Sequence, residues 1–305
     1  ELKSSSATVS GQTDEGVVVT YDKHPSWGKG GGAGVIHVRA GATGDGSGSD
    51  WFNAIVDLGA AIRQIDEDRR EVWCAGEWPT GATVSDPINP QVPAAIRGGF
   101  GGTELTAGER VSGARTLLDG NGESDCVIVQ NATNLTIDGF CFTRGKARGL
   151  TKSGVGDITV TNCTFDANGA VTQKVSGRAM NLQGTAGVTH AVIADCRVVN
   201  HIETGSDASK NGGAIYLGKL ADARISDCQF ASNGVAYGTA PYGSTAAGRH
   251  SYWGGALAVQ DVPVTVERSI ISSCPASHAV TPYLWKSGSR MRRGRPESSS
   301  PLSSG

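Results

Sequence analysis

The sequence predicts an all-β chain folded as a right-handed parallel β-helix, a β-solenoid, with an N-terminal capping helix. Two observations carry this expectation: one strand pattern returns along the chain, and the connectors between its copies vary in length while the strands do not. The pattern is apolar-x-apolar-x-x-small/Cys-x-apolar. It occurs as LTIDGFCF (135–142), ITVTNCTF (158–165), AVIADCRV (191–198), ARISDCQF (223–230) and VTVERSII (264–271). Its third slot holds Phe140, Cys163, Cys196, Cys228 and Ser269, spaced by 23, 33, 32 and 41 residues.

A second element precedes the later copies, as GRAMNLQ (177–183), GGAIYLG (212–218) and GGALAVQ (254–260); CVIVQNA (126–132) plays that part before the first. Each unit is thus two short alternating strands, a tight turn and a connector. Alternation with period two buries one face of a strand. Units this small cannot close a core alone and must stack on their neighbours, with strands about 4.8 Å apart and equivalent residues in ladders. A leucine-rich repeat would be shorter and carry its Leu/Asn frame, a hexapeptide helix would show a period of six, and a propeller blade would hold its length.

Ahead of the repeats, Ser49 or Asp50 is placed to N-cap a helix whose apolar positions include Trp51, Ile55, Leu58 and Ile62. Such a helix would cover the open end of the solenoid, where strand edges need protection. The chain therefore divides into a flexible lead-in (1–33), a cap with the first coils (34–125), the coils proper (126–274) and an irregular tail (275–305). GKGGGAG (28–34) lacks the Lys-Ser/Thr ending of a phosphate loop and reads as a linker. In the tail the strand pattern stops, and five Lys/Arg fall between 286 and 295 before a Ser/Pro-rich end. This is the composition of a disordered segment, or of a truncated or frame-shifted reading with later coils missing.

GGAI (212–215) with FASN (230–233) resembles the paired Gly-Gly-Ala-Ile and Phe-x-x-Asn motifs of chlamydial polymorphic outer-membrane protein repeats. GGAL (254–257) and FDAN (165–168) match as well, while GRAM departs by putting Arg178 in a glycine slot. Residues 35–62, EVWCAGEW (71–78) and IRGGFGGTE (96–104) are similar to the opening of secreted bacterial β-helix proteins of the pectin-lyase-like superfamily. The resemblance spans roughly residues 33 to 274. It implies the β-helix fold and an extracellular or cell-surface location in a bacterium, as for an adhesin or passenger. It does not fix the chemistry, because that superfamily holds lyases, hydrolases and non-catalytic adhesins.

Composition narrows the classes. The chain has 305 residues, and 27 basic residues stand against 29 acidic ones, a balance that argues against a nucleic-acid partner. No apolar run approaches the roughly 18 residues of a membrane helix, so no membrane span is expected in this chain. The 44 glycines show no triplet period. ELKSSSATVSGQTDEG at the start is a polar lead-in, and any export signal is expected to have been removed or to lie outside the chain.

Of seven cysteines, Cys163, Cys196 and Cys228 fall at one ladder position and Cys141 beside it. Stacked side chains have parallel Cα–Cβ vectors near 4.8 Å apart, beyond the roughly 3.8 Å a disulfide prefers. The slot also takes Phe140 and Ser269. Packing by free thiols is therefore the expected role, and no Cys-x-x-Cys pair suggests zinc.

Chemistry should reside on the long connectors. The connector at 199–211 offers His201, Glu203, Asp207 and Lys210; that at 234–253 offers Tyr237, Tyr242, Arg249, His250, Tyr252 and Trp253. Both leave consecutive coils at the same corner and are expected side by side. Rings beside polar groups suit a sugar surface, so His201, Tyr237, Tyr242, Tyr252 and Trp253 are the expected ligand contacts. A uronate lyase would use Lys210, Arg249 or His250 to neutralise a carboxylate and take its α-proton. A hydrolase would need two carboxylates about 5 to 9 Å apart, here Glu203 and Asp207. These loops hold no lyase signature and no Asp/Glu ladder, which favours binding of a polysaccharide or cell-surface ligand without catalysis. No cofactor is expected. A weak calcium signal lies in TGDGSGSDW (43–51), where Asp45, Ser47 and Ser49 alternate without the Gly and Glu of an EF-hand loop; a turn is the better reading. Asn131, Asn134 and Asn162 head N-x-Thr sequons and are expected to serve turns.

Overall fold

A computed structural model describes residues 7–13, 16–21, 34–78, 83–169, 175–204, 213–236 and 255–274. The chain opens with β1 (Ala7–Thr13) and β2 (Gly16–Tyr21), then β3 (Val35–Arg39), α1 (Leu58–Ile62), β4 (Glu71–Ala75), β5 (Val84–Ile88), β6 (Ala94–Phe100) and β7 (Thr116–Asp119). Regular turns follow with β8 (Val127–Gln130), β9 (Leu135–Asp138), β10 (Phe140–Thr143), β11 (Leu150–Ser153), β12 (Ile158–Thr161) and β13 (Thr164–Asp166). Next come β14 (Met180–Gln183), β15 (His190–Ala194), β16 (Arg197–Val199), β17 (Ile202–Thr204), β18 (Ile215–Gly218), β19 (Asp222–Ser226), β20 (Gln229–Ala231) and β21 (Gly234–Ala236). The series ends with β22 (Leu257–Gln260), β23 (Val264–Glu267) and β24 (Ile270–Ser272).

β1 and β2 pair antiparallel, inside the segment read from sequence as a lead-in. The remaining strands stack in parallel sheets. Sheet 1 runs β22-β18-β14-β11-β8-β5, sheet 2 runs β23-β19-β15-β12-β9-β6-β4-β3 and sheet 3 runs β24-β20-β16-β13-β10-β7. β3 and β4 enter sheet 2 alone; from β5 onward each coil visits sheets 1, 2 and 3 in turn, so a coil has three strands where the sequence shows two. The architecture is a parallel β-solenoid.

Register makes the ladders explicit. In sheet 2, Ile36, Val72, Ile96, Ile137, Val160, Ile193, Ile225 and Val266 stand in one row. In sheet 3, Leu118, Phe142, Phe165, Val198, Phe230 and Ile271 do the same. Phe142 and Phe165 stack with centroids 4.7 Å apart. Apart from the exposed Ile271 at its end, these rows form one continuous apolar core, with Val266 packed against it.

Three columns of left-handed residues turn the corners. After sheet 1 come Asn131, Gly154, Lys219 and Asp261; after sheet 2, Gly139, Asn162, Asp195, Asp227 and Arg268; after sheet 3, Arg144, Ala167, Asn200, Ser232 and Ser273. Asn and Asp suit such corners because their short side chains tolerate positive φ. Asn131, Asn134 and Asn162, the three sequon residues, all have positive φ and sit in turns, as expected. Ala167 has no such help at φ 49°. Ala167→Gly should raise stability by about 0.5–1 kcal/mol, the relief of a left-handed Cβ less the extra chain entropy of glycine. A rise in urea midpoint at unchanged slope checks this; a fall would contradict it.

Next to the second corner lies the cysteine column. By register Phe140, Cys163, Cys196, Cys228 and Ser269 align, and the three cysteines are buried. Each donates to the carbonyl two residues back: Cys163 Sγ to Thr161 at 3.0 Å, Cys196 Sγ to Ala194 at 3.2 Å and Cys228 Sγ to Ser226 at 3.1 Å. Ser269 Oγ does the same to Glu267 at 2.8 Å. The slot thus selects a small donor as well as a packing group. All seven cysteines are free. The neighbouring thiols of Cys163 and Cys228, with burial, push the Cys196 thiol up, and burial pushes Cys126 up to about 12.

The expected helix over 51–62 is shorter, with a different cap. α1 spans Leu58–Ile62, and Asp57 caps it by accepting from Ala60 N. Asp50 Oδ1 instead accepts from Asn53 N at 2.7 Å, which closes a turn. The main chain of Ile55 bonds β3, with Ile55 N donating to His37 O at 2.9 Å and Arg39 N to Ile55 O at 3.0 Å. Trp51 leaves the helix pattern for a cluster with Trp73 and Phe100 on the outer side of sheet 2. Among the described residues no helix is long and apolar enough to cross a membrane.

Candidate functional site

The two connectors are framed at both ends. β17 and β21 pair in parallel, matching Ile202 with Gly234, Glu203 with Val235 and Thr204 with Ala236. The expected side-by-side departure is therefore present. At the return, Ala214 N donates to Gly255 O at 3.1 Å and Ile215 N to Ala256 O at 3.0 Å. Both connectors thus begin and end one strand spacing apart. The residues of the two resembling motifs hold these anchor points. Ala214 and Ile215 of GGAI lead into sheet 1, and Phe230 and Asn233 of FASN close sheet 3.

Lys210, Asp207, Tyr237, Tyr242, Arg249, His250, Tyr252 and Trp253 lie outside the described residues. Glu203 is placed by its backbone in β17. His201, expected to face a ligand, is instead 2% exposed. It belongs to a buried polar column that follows the third corner. His201 Nδ1 bonds Asn233 Oδ1 at 3.0 Å, and Asn168 Nδ2 bonds His201 Nε2 at 3.2 Å. Asn168 Nδ2 also donates to Phe142 O at 3.0 Å, and Asn168 Oδ1 accepts from Gly145 N at 2.9 Å. Asn233 Nδ2 donates to Val198 O at 2.7 Å. Buried polar groups must be paired, and here side-chain amides pair main-chain atoms that the corner leaves open. Burial lowers the His201 pKa to about 4, Asn233 pulling the other way. His201 therefore holds the base of its connector.

Arg178, the departure from the glycine slot, is buried and donates through Nη1 to Gly169 O. It ties the start of its connector to the end.

The outer side of sheet 1 carries groups that the sequence reading did not single out. Asn181 and Tyr216 are cross-strand partners on β14 and β18. Tyr216 OH donates to Gln260 Oε1 at 2.6 Å, and Gln183 Nε2 to Asn181 Oδ1 at 2.9 Å. These strands start where the connectors end, so an amide and phenol row borders the connector face. The signal was present as the alternate positions of MNLQ, IYLG and LAVQ.

Among the described residues no group of three or more His, Cys, Asp or Glu is placed to hold a metal. In the 43–51 loop, Asp45 Oδ1 accepts from Ser47 N at 2.9 Å, and Ser47 Oγ donates to Ser49 Oγ at 3.1 Å. Its oxygens close a turn on themselves. Compared with known proteins, the chain matches no family model, no curated protein and no solved structure.

Proposed function

We propose that the chain is an exported or cell-surface right-handed parallel β-helix of the pectin-lyase-like class. On this reading its connector face binds a polysaccharide or surface partner without catalysis. The observation that supports it is the β17–β21 pairing. A rigid stack fixes both ends of two long connectors, the second of them rich in aromatics, the usual way a scaffold presents a recognition surface. Beside it Gln183 is half-buried and Gln260 exposed, while Asn181 and Tyr216 are buried and bond them. Right-handedness follows the strong preference of parallel crossovers. The capping role falls to α1 and to the 48–55 segment on the free edge of β3.

The test is retention on immobilised uronate and neutral polysaccharides, with unsaturated and reducing ends assayed in calcium and in chelator. Retention without new ends is the expected result. Unsaturated ends would overturn it in favour of a lyase, with Lys210, Arg249 and His250 the first targets. Reducing ends alone would point to a hydrolase using Glu203 and Asp207. Neither retention nor new ends would leave a scaffold without a ligand.

A further inference from the structure

We propose that His201 is an acid-operated latch for the two connectors: a second proton on its ring releases β17 and β21 while the coils beneath stay stacked. As regulation of the connector face, this rests on the binding role proposed above.

The ring stands where both connectors leave the stack. His201 is the last residue before β17, and Asn233 is the last before β21. Asn233 Oδ1 accepts from His201 N at 3.1 Å and from Nδ1 at 3.0 Å, and Gly234 N donates to His201 O at 3.0 Å. The pairing of Ile202 with Gly234 follows directly. An amide oxygen only accepts, so Nδ1 carries the proton.

On the other side of the ring, Nε2 meets Asn168 Nδ2 at 3.2 Å and accepts from it. Imidazolium donates from both nitrogens, so a second proton would set one N–H against another. Asn168 cannot offer its oxygen instead, because Oδ1 accepts from Gly145 N and Nδ2 donates to Phe142 O. Asp166 favours the proton and Arg178 opposes it. Asp166 Oδ1 accepts from Asn200 Nδ2 at 2.8 Å, and Arg178 Nη1 donates to Gly169 O. The thiols of Cys126 and Cys274 touch Asn168 and Asn233. The imidazolium therefore finds its acceptors in water, outside the column.

The release is local because neither asparagine depends on the ring. Asn168 keeps Phe142 O and Gly145 N, and Asn233 keeps Val198 O. The corners beneath stay paired, and sheets 1, 2 and 3 hold their ladders. What leaves with the ring is the strand pair that follows it.

Hydrogen exchange of the intact chain from pH 7 to pH 4, corrected for the intrinsic pH dependence of exchange, tests this. Protection of the 202–204 and 234–236 amides should fall about a hundredfold by pH 4. That factor follows from a ring that takes its proton near 6.5 when released and near 4 when latched. Circular dichroism should still report the folded stack at pH 4. In His201→Asn, which cannot titrate, the protection of both segments should stay flat. His201→Gln serves if His201→Asn does not fold, and the wild-type profile decides alone if neither does. The proposal is overturned if β17 and β21 keep their neutral protection at pH 4, if the whole stack unfolds in the same step, or if a folded variant loses protection as the wild type does. On a polysaccharide column that retains the chain at pH 7, acid should elute the wild type and not His201→Asn; equal elution of both would mean that the latch does not govern the face. A chain that no column retains would fail the binding reading, and hydrogen exchange would still decide the latch.

Discussion

Phe165→Ala should cost about 3–5 kcal/mol of stability, among the largest single losses the coil stack can suffer. Phe165 is fully buried. Its ring stacks on Phe142 with an interplanar angle of 15°, and Val198 is its register partner on the other side. Removing the ring opens a hole between two coils that a regular parallel stack cannot close, because each neighbour is fixed by its own ladder. In a solenoid each coil contacts only its neighbours, so the loss falls on the coils of β10 and β16. The comparison variant is Ile271→Ala, at the last position of the same row. Ile271 is 54% exposed, so the change should cost under about 1 kcal/mol. Denaturant midpoints of both variants decide the matter. Equal losses would mean that the row is not a graded core.

The row itself was legible in the sequence, because period-two alternation in LTIDGFCF and its copies survives any variation in connector length. The third strand of each coil was not legible as a separate element. β13, β16 and β20 are three residues long, and only a single left-handed corner with its Cys separates each from the strand before. The helix over 51–62 was misread for a physical reason. Trp51, Ile55, Leu58 and Ile62 do fall at helical spacing, but Asp50 captures Asn53 N and β3 captures the main chain of Ile55. Those donors are lost to helix formation until Asp57. Lys152 shows the limit of alternation in the other direction. It stands inward between Val129 and Leu182, is 1% exposed and donates through Nζ to Val155 O at 3.0 Å. Burial lowers its pKa to about 8. A polar letter at an apolar position hides a core residue whenever a long stem reaches a carbonyl at the rim. His201 was hidden in the same way. It occupies the slot three residues after Val198, as Asn168 follows Phe165 and Asn233 follows Phe230. Aligning that slot across the coils would have moved it from the ligand face to the column beneath it.

The same column predicts an acid weakness. Wild-type stability should fall by about 3 kcal/mol as pH drops from about 6.5 to about 4, beyond the fall shown by His201→Asn. Asn233 Oδ1 accepts from both His201 N and His201 Nδ1, which fixes the proton on Nδ1. Nε2 must then accept from Asn168 Nδ2. Asn168 is not free to turn over, since its Oδ1 holds Gly145 N and its Nδ2 holds Phe142 O. A second proton on the ring would set an N–H against an N–H, inside the core. Burial is the leading cause of the fall from 6.5 to about 4, and Arg178 acts in the same direction; Asn233 and Asp166 oppose it. The folded pKa is therefore the lower one. The unfolded chain takes up the proton first, so the contribution is complete above about 6.5 and drains away as pH falls to about 4. At roughly 1.4 kcal/mol per pH unit, that window amounts to about 3 kcal/mol. His201→Asn repeats the residue found at the slot in the two flanking coils and removes the titration. It should be less stable near neutral pH, because a ring is lost from the core, but flatter across the window. Urea melts at several pH values give both slopes. If the slopes run parallel, His201 titrates normally and the column of Asn168, His201 and Asn233 is not closed as described.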